Sequence, residues 1–239
     1  MSNSPFSYDS PIMQILMYIG DLIILNFIFL ICCIPVVTIG AAQAGLHTAI
    51  RVLNDKEDDS SPTAAFFRGF ASGFFTVTLS WSIFAVIFVL STIAAIYAGA
   101  WGLSPWMCIA PMAIVSIFMS LIPAFHSRFG CTAMQLIRNS FLLFITHPLR
   151  SIIAAGLMWV PVIVMACSTM YTGMATTLIW ITLYYSTAVL FAELFLRKPF
   201  NVLVEEYNRR EKEARIAAGE VEEEPKENPN KIFSDVPVE

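Results

Sequence analysis

The sequence predicts an all-α membrane protein of about five transmembrane helices, joined by amphipathic cytoplasmic link helices. Three observations predict it: a composition poor in charge, five long apolar runs, and cations confined to alternate links. Hydrophobic residues make up 57% of the 239-residue chain and charged residues 13%, with a mean hydropathy of +0.69. Soluble domains carry about 25% charged residues. Too little polar surface remains here to cover a water-soluble globule of this length.

A spanning helix needs about 20 mostly apolar residues. Runs near 12–37, 74–100, 103–125, 149–170 and 176–196 meet that requirement. Pro35 closes the first, Pro111 lies inside the third and Pro161 inside the fourth. Proline is tolerated there because neighbouring groups satisfy the freed carbonyl, usually with a kink. Trp101 and Trp106 flank the short turn between the second and third runs, as an interfacial aromatic belt does.

The links alternate in character. Residues 100–103 and 171–175 are tight and uncharged, whereas 38–73 and 126–148 are long and carry cations. All 14 Lys and Arg residues lie in the two long links, at Arg150, or after Leu196. Positive residues are retained on the cytoplasmic side. With five crossings, the expected orientation has the N-terminus outside and the C-terminus in the cytoplasm.

Within the long links, 41–53 reads as a helix, with Leu46, Ile50 and Leu53 at i, i+4 and i+7. After the charged turn 55–61, Pro62 opens a second helix with Phe66, Phe67, Phe70, Phe74 and Phe75 on it. Residues 130–145 read the same way. Helices of this kind lie in the membrane interface or extend the spanning helices below it. Ile50-Arg51 and Ile137-Arg138 suggest a parallel internal repeat. Residues 201–219 read as a charged cytoplasmic helix. The acidic, proline-bearing stretch 220–239 reads as disordered.

The net charge of −4 is concentrated in the tail, which carries 11 acidic and 6 basic residues from Glu205 onward. No basic stripe suits nucleic acid. The five cysteines lack metal or redox spacing and read as small apolar filler. The first fourteen residues carry no Lys or Arg, so no cleavable signal peptide is expected. No HExxH, CxxC, GxSxG, Walker or GxGxxG pattern occurs. An enzyme, a cofactor and a metal are therefore not expected.

The candidate intramembrane polar and motif residues are Asp21, Asn26, Pro35, Thr38, Gly40 and Glu193. A carboxylate in the hydrocarbon region is expensive, about 2.5–3.5 kcal/mol on insertion scales. Asp21 therefore reads either as a proton, cation or substrate site or as a structural hydrogen-bonding group. Glu193 has Arg197 at i+4 as its expected partner. Asn26 reads as interhelical glue. Pro35, Thr38 and Gly40 read as the exit from the first helix, with the Thr38 hydroxyl capping the next helix by accepting from a backbone N–H near Ala41.

One stretch resembles a known family. Gly20-Asp21-Leu22, Asn26 and the run from Ile34 to Ala42 (Ile-Pro-Val-Val-Thr-Ile-Gly-Ala-Ala) are similar to the opening signature of the YesL-like membrane proteins. Phe66 to Phe70 and His147-Pro148-Leu149-Arg150 are similar to later pieces, so the resemblance covers roughly 13–200. It implies a bacterial cytoplasmic-membrane protein of a domain of unknown function, encoded near carbohydrate-uptake genes. Two functions follow as expectations. The first is an accessory or regulatory subunit of a sugar-transporter permease. The second is a small transporter or channel using Asp21. The partners expected are the lipid bilayer and either a permease or further copies of the chain.

Overall fold

The computed structural model describes residues 10–55, 60–98, 100, 102, 104, 106–167 and 180–217. Every regular element among them is helical: α1 (Pro11–Cys32), a 3-10 turn (Val36–Thr38), α2 (Ile39–Asn54), α3 (Pro62–Tyr97), α4 (Trp106–His126), α5 (Ala133–Thr146), α6 (Pro148–Cys167), a π-helical turn (Trp180–Tyr184) and α7 (Tyr185–Ala217). The chain divides into two units, Met1–Arg197 and Lys198–Glu239. In the second unit the described residues, 198–217, are helical. The expected tail region 220–239 lies outside the described residues.

Local chemistry sets the helix starts. Ser10 accepts from the Met13 N–H at 3.3 Å and Pro11 follows at the first helical position. Ser61 accepts from the Ala64 N–H at 3.2 Å, with Pro62 next. A side-chain acceptor satisfies an orphan N–H, and proline there lacks the N–H that would otherwise be wasted. Thr132 and Gln135 form a reciprocal capping box at the head of α5.

Among the described residues four helices are long and apolar enough to cross a membrane: Pro11–Cys32, Val36–Asn54, Pro62–Tyr97 and Ile109–His126. The pair Ala133–Thr146 and Pro148–Val160, bent by 113°, makes a fifth if counted as one span. The total agrees with the sequence expectation, but the members differ. The second expected span begins at Pro62 rather than 74, so α3 runs 36 residues, about 54 Å. The expected spans 149–170 and 176–196 lie partly outside the described residues. Large apolar side chains on α1 and α3, including Ile15, Ile24, Ile31, Leu79, Val86, Leu90 and Ile96, face outward.

The largest correction concerns α2. Its apolar spacing suggested a helix on the membrane interface. Instead α2 is buried along most of its length. It returns beside α1, and the Tyr18 hydroxyl donates to Asn54 Oδ1 at 2.9 Å. The far end of α2 therefore sits beside the N-terminal half of α1, and α2 is itself a candidate crossing.

Small residues allow this burial. Ala41, Gly45 and Ala49 recur every fourth residue on α2, as do Ala65, Gly69 and Gly73 on α3. Such stripes let helix backbones approach closely in membranes. A Cβ on Gly69 would lie 2.5 Å from Thr48 Oγ1, and one on Gly45 would lie 2.7 Å from the Phe66 carbonyl oxygen. At the head of α2, a Cβ on Gly40 would lie 2.8 Å from Trp81 Cβ. The two Ile-Arg pairs expected to mark a repeat occupy unlike places: Arg51 is half-buried in the bundle and Arg138 is exposed.

Candidate functional site

The polar face of α2 is directed at α7 and the end of α4, not at water. Gln43, His47 and Arg51 stand at i, i+4 and i+8, and so share that face. His47 and Glu193 are almost fully buried, at 1% and 4% exposure. The His47 Nδ1 lies 2.7 Å from Glu193 Oε1, and Arg128 Nη2 donates to Glu193 Oε2 at 2.5 Å. Each carboxylate oxygen thus has its own cationic or N–H partner. Burial of a charge is tolerable when it is paired and hydrogen-bonded in this way.

The expected partner of Glu193, Arg197, does not take part in this pairing. Helix i+4 contacts are weak at an exposed surface, and Glu193 points inward to α2 and the turn after α4. The other ring nitrogen of His47, Nε2, points away from the carboxylate. It is buried without a hydrogen bond among the described residues. Arg51 Nη1 donates to the Ser127 carbonyl at 2.5 Å, fixing the turn that presents Arg128.

About two turns earlier on α7 the polar contacts continue. The Gln43 amide donates to the Tyr185 hydroxyl at 2.5 Å, and the Tyr185 ring stacks on Phe29 at 4.2 Å. The Ser186 N–H donates to Asn26 Oδ1 at 3.1 Å, so Asn26 joins α1 to α7. These contacts directly follow the π-helical turn Trp180–Tyr184. Such turns are frequent at functional sites. A buried polar seam therefore runs between α1, α2 and α7, from Asn26 and Tyr185 to Glu193 and Arg128.

Asp21 lies outside this seam. It is the eleventh residue of the 22-residue α1, and so sits at the middle of the helix. Leu22, Leu25, Asn26 and Phe29 form the buried stripe of α1. Asp21 stands on the flank of that stripe, half-buried. Its carboxylate makes no hydrogen bond or ion pair with any described residue.

The turn between α1 and α2 differs from expectation in one respect. Thr38 does not cap α2. Its hydroxyl reaches back to the carbonyls of Cys32, at 2.5 Å, and Pro35, at 2.6 Å. The reason is backbone conformation. An N-cap needs extended dihedrals, but Thr38 is helical, at φ −87° and ψ −2°. The 3-10 turn runs straight into α2, and the side chain reaches the Cys32 carbonyl at the end of α1. Pro35 is extended and opens the 3-10 turn, and Gly40 seats α2 on Trp81.

Neither His47 nor Arg128 is among the residues that the sequence singles out. The signal available was the i, i+4, i+8 spacing of Gln43, His47 and Arg51. Nothing local connects residues 47, 128 and 193; only the packing of α2, α4 and α7 does. Among the described residues no group of three or more His, Cys, Asp or Glu side chains is placed to hold a metal ion.

Residues 22–94 match the family of proteins of unknown function DUF624. The YesL-like resemblance agrees with that match. The DUF624 segment covers less than a third of the chain. It holds Asn26, Pro35, Thr38, Gly40, the buried α2 and most of α3, while Asp21 and Glu193 fall outside it. Comparison with curated proteins and with solved structures finds no match.

Proposed function

We propose that the chain is a non-enzymatic accessory subunit of the bacterial cytoplasmic membrane, acting beside a carbohydrate-uptake permease. The observation that carries this reading is the contrast in its polar groups. Gln43 and Tyr185, and His47, Arg128 and Glu193, bind one another inside the bundle, whereas the Asp21 carboxylate stands on the open flank of α1. A polar group there is suited to contact with another membrane protein. The association with carbohydrate uptake rests on the YesL-like resemblance. Purification of the tagged protein from native membranes tests the reading. A sugar permease recovered in a fixed ratio supports it, and recovery of the chain alone overturns it.

The second reading, a small transporter or channel, is favoured by the buried seam beside a π-helical turn, with Asp21 as a further polar position. Flux of a sugar or of protons into liposomes holding only this protein supports that reading.

The orientation belongs to the same proposal. The cation-bearing turns face the cytoplasm. With α2 counted as a crossing, the N-terminus lies on the cytoplasmic side as well. This reverses the orientation obtained by counting from sequence, because that count omitted α2. Reporters fused at the N-terminus and after Lys56 give the same reading under this arrangement and opposite readings under the earlier one.

A further inference from the structure

We propose that the Asp21 flank of α1 is a docking seam for a partner transmembrane helix carrying a basic residue at mid-membrane depth. The inference rests on the accessory-subunit reading and names the chemistry of the partner.

The first argument is geometric. Gln14, Met17, Asp21, Ile24, Ile28 and Ile31 recur at alternating spacings of three and four. All six are exposed or half-exposed. That alternation is the seam of helices packed at about 20°, with side chains of one seated between those of the other. The seam lies beside the stripe that α1 buries against its own bundle, so one helix can use both. A single polar residue in such a seam sets register and partner choice. Asp21 is the polar residue at its centre.

The second argument is electrostatic. α1 is about 33 Å long, close to the roughly 30 Å hydrocarbon core, so Asp21 sits near the midplane. A carboxylate there needs a donor or a cation. This chain does not supply the cation, because no Lys or Arg precedes Arg51 and none lies in 69–127 or 151–196. Arg51 and Arg128 are engaged by Ser127 and Glu193.

A second copy is a poor occupant. Two copies share one membrane orientation, so a twofold axis along the membrane normal sets α1 against α1 in parallel. Asp21 would then face Asp21, and like charges at close range repel. A helix with a central Lys or Arg is complementary.

The test uses the full-length protein in liposomes and a synthetic leucine-rich transmembrane peptide with one central Lys. A control peptide carries Leu at that position. Donor and acceptor dyes report association, and a photoreactive residue at position 24 reports the face used. The Lys peptide is expected to associate and to crosslink from position 24. The Leu peptide, or the Lys peptide with Asp21→Leu protein, is expected to bind about tenfold more weakly. Unchanged melting of Asp21→Leu keeps a folding defect from mimicking the loss. Equal binding of both peptides, retention of binding by Asp21→Leu, or crosslinking chiefly to a second copy overturns the proposal. The two readings separate. A permease that co-purifies equally with wild type and Asp21→Leu overturns this seam and leaves the accessory role. Binding of the Lys peptide without any co-purifying permease does the reverse.

Discussion

Glu193 and Asp21 are both carboxylates in apolar helices, yet their surroundings are opposite. Glu193 is buried against α2 and the turn after α4, with His47 on one oxygen and Arg128 on the other. Asp21 is half-buried at the centre of α1, without a partner among the described residues. The first binds three parts of the chain together. The second contributes nothing visible to the isolated fold. A charge in a membrane helix is thus no single signal: its meaning depends on whether the chain itself supplies the counter-charge.

Breaking the Glu193 cluster gives the largest expected effect. Glu193→Leu removes the buried carboxylate from the half-buried Arg128, and removal of one member of a fully buried pair costs about 3–5 kcal/mol, an upper bound here. Arg128→Met alone should cost a similar amount. The double variant should be less destabilised than either single one, since apolar residues of similar volume replace such pairs with little loss. Thermal unfolding in detergent measures all three. A Glu193→Leu protein that melts like wild type would remove the cluster's structural role.

The glycines offer a second contrast. Gly69→Ala forces a Cβ to within 2.5 Å of Thr48 Oγ1 and 2.7 Å of Thr48 Cβ. Overpacking of this kind costs about 1–3 kcal/mol. Gly20→Ala, beside Asp21, meets nothing within 4 Å. It should be neutral or stabilising by up to about 1 kcal/mol, because alanine favours the helix. Equal melting shifts for the two would mean that α2 and α3 do not pack through Gly69 and Thr48.

Thr38→Val removes the hydroxyl that bonds Cys32 and Pro35, at an expected cost of about 1 kcal/mol. Thr38→Ser should retain most of the stability. A loss for Ser as large as that for Val would point to the methyl group rather than the hydroxyl.

Much of this architecture was legible in the sequence, for identifiable reasons. The apolar runs announced a helical membrane protein because bilayer thickness fixes their length. Pro62 marks the start of α3, whereas the Ser10-Pro11 start of α1 is a cap of the same kind that the apolar run alone does not reveal. The position of α2 was not legible. Its Leu46, Ile50 and Leu53 spacing reads as an amphipathic helix at the membrane interface, since periodicity reveals one apolar face but not what the opposite face meets. The stripes Ala41-Gly45-Ala49 and Ala65-Gly69-Gly73 were the available sign that α2 packs on α3. For Glu193, the sequence offered Arg197 at i+4, whereas the actual partners lie 146 and 65 residues away. Pairing at that separation follows from tertiary packing alone.

The smallest expected effect on the isolated protein is at Asp21, and it is the most informative. Asp21→Asn removes the charge while keeping size and hydrogen-bonding capacity. If the carboxylate were glue within the fold, Asn would preserve stability and Leu would reduce it. The geometry argues otherwise, because no described residue donates a hydrogen bond to the Asp21 carboxylate. Asp21→Asn should therefore shift stability by no more than about 0.5 kcal/mol. Asp21→Leu should be neutral or stabilising, since it removes a carboxylate from mid-helix, where insertion scales assign a cost of about 2.5–3.5 kcal/mol. Melting of the purified single-chain protein checks both. Stable variants that lose the partner helix place the role of Asp21 between proteins. A clear drop in melting temperature for Leu but not for Asn would return it to the interior of the fold.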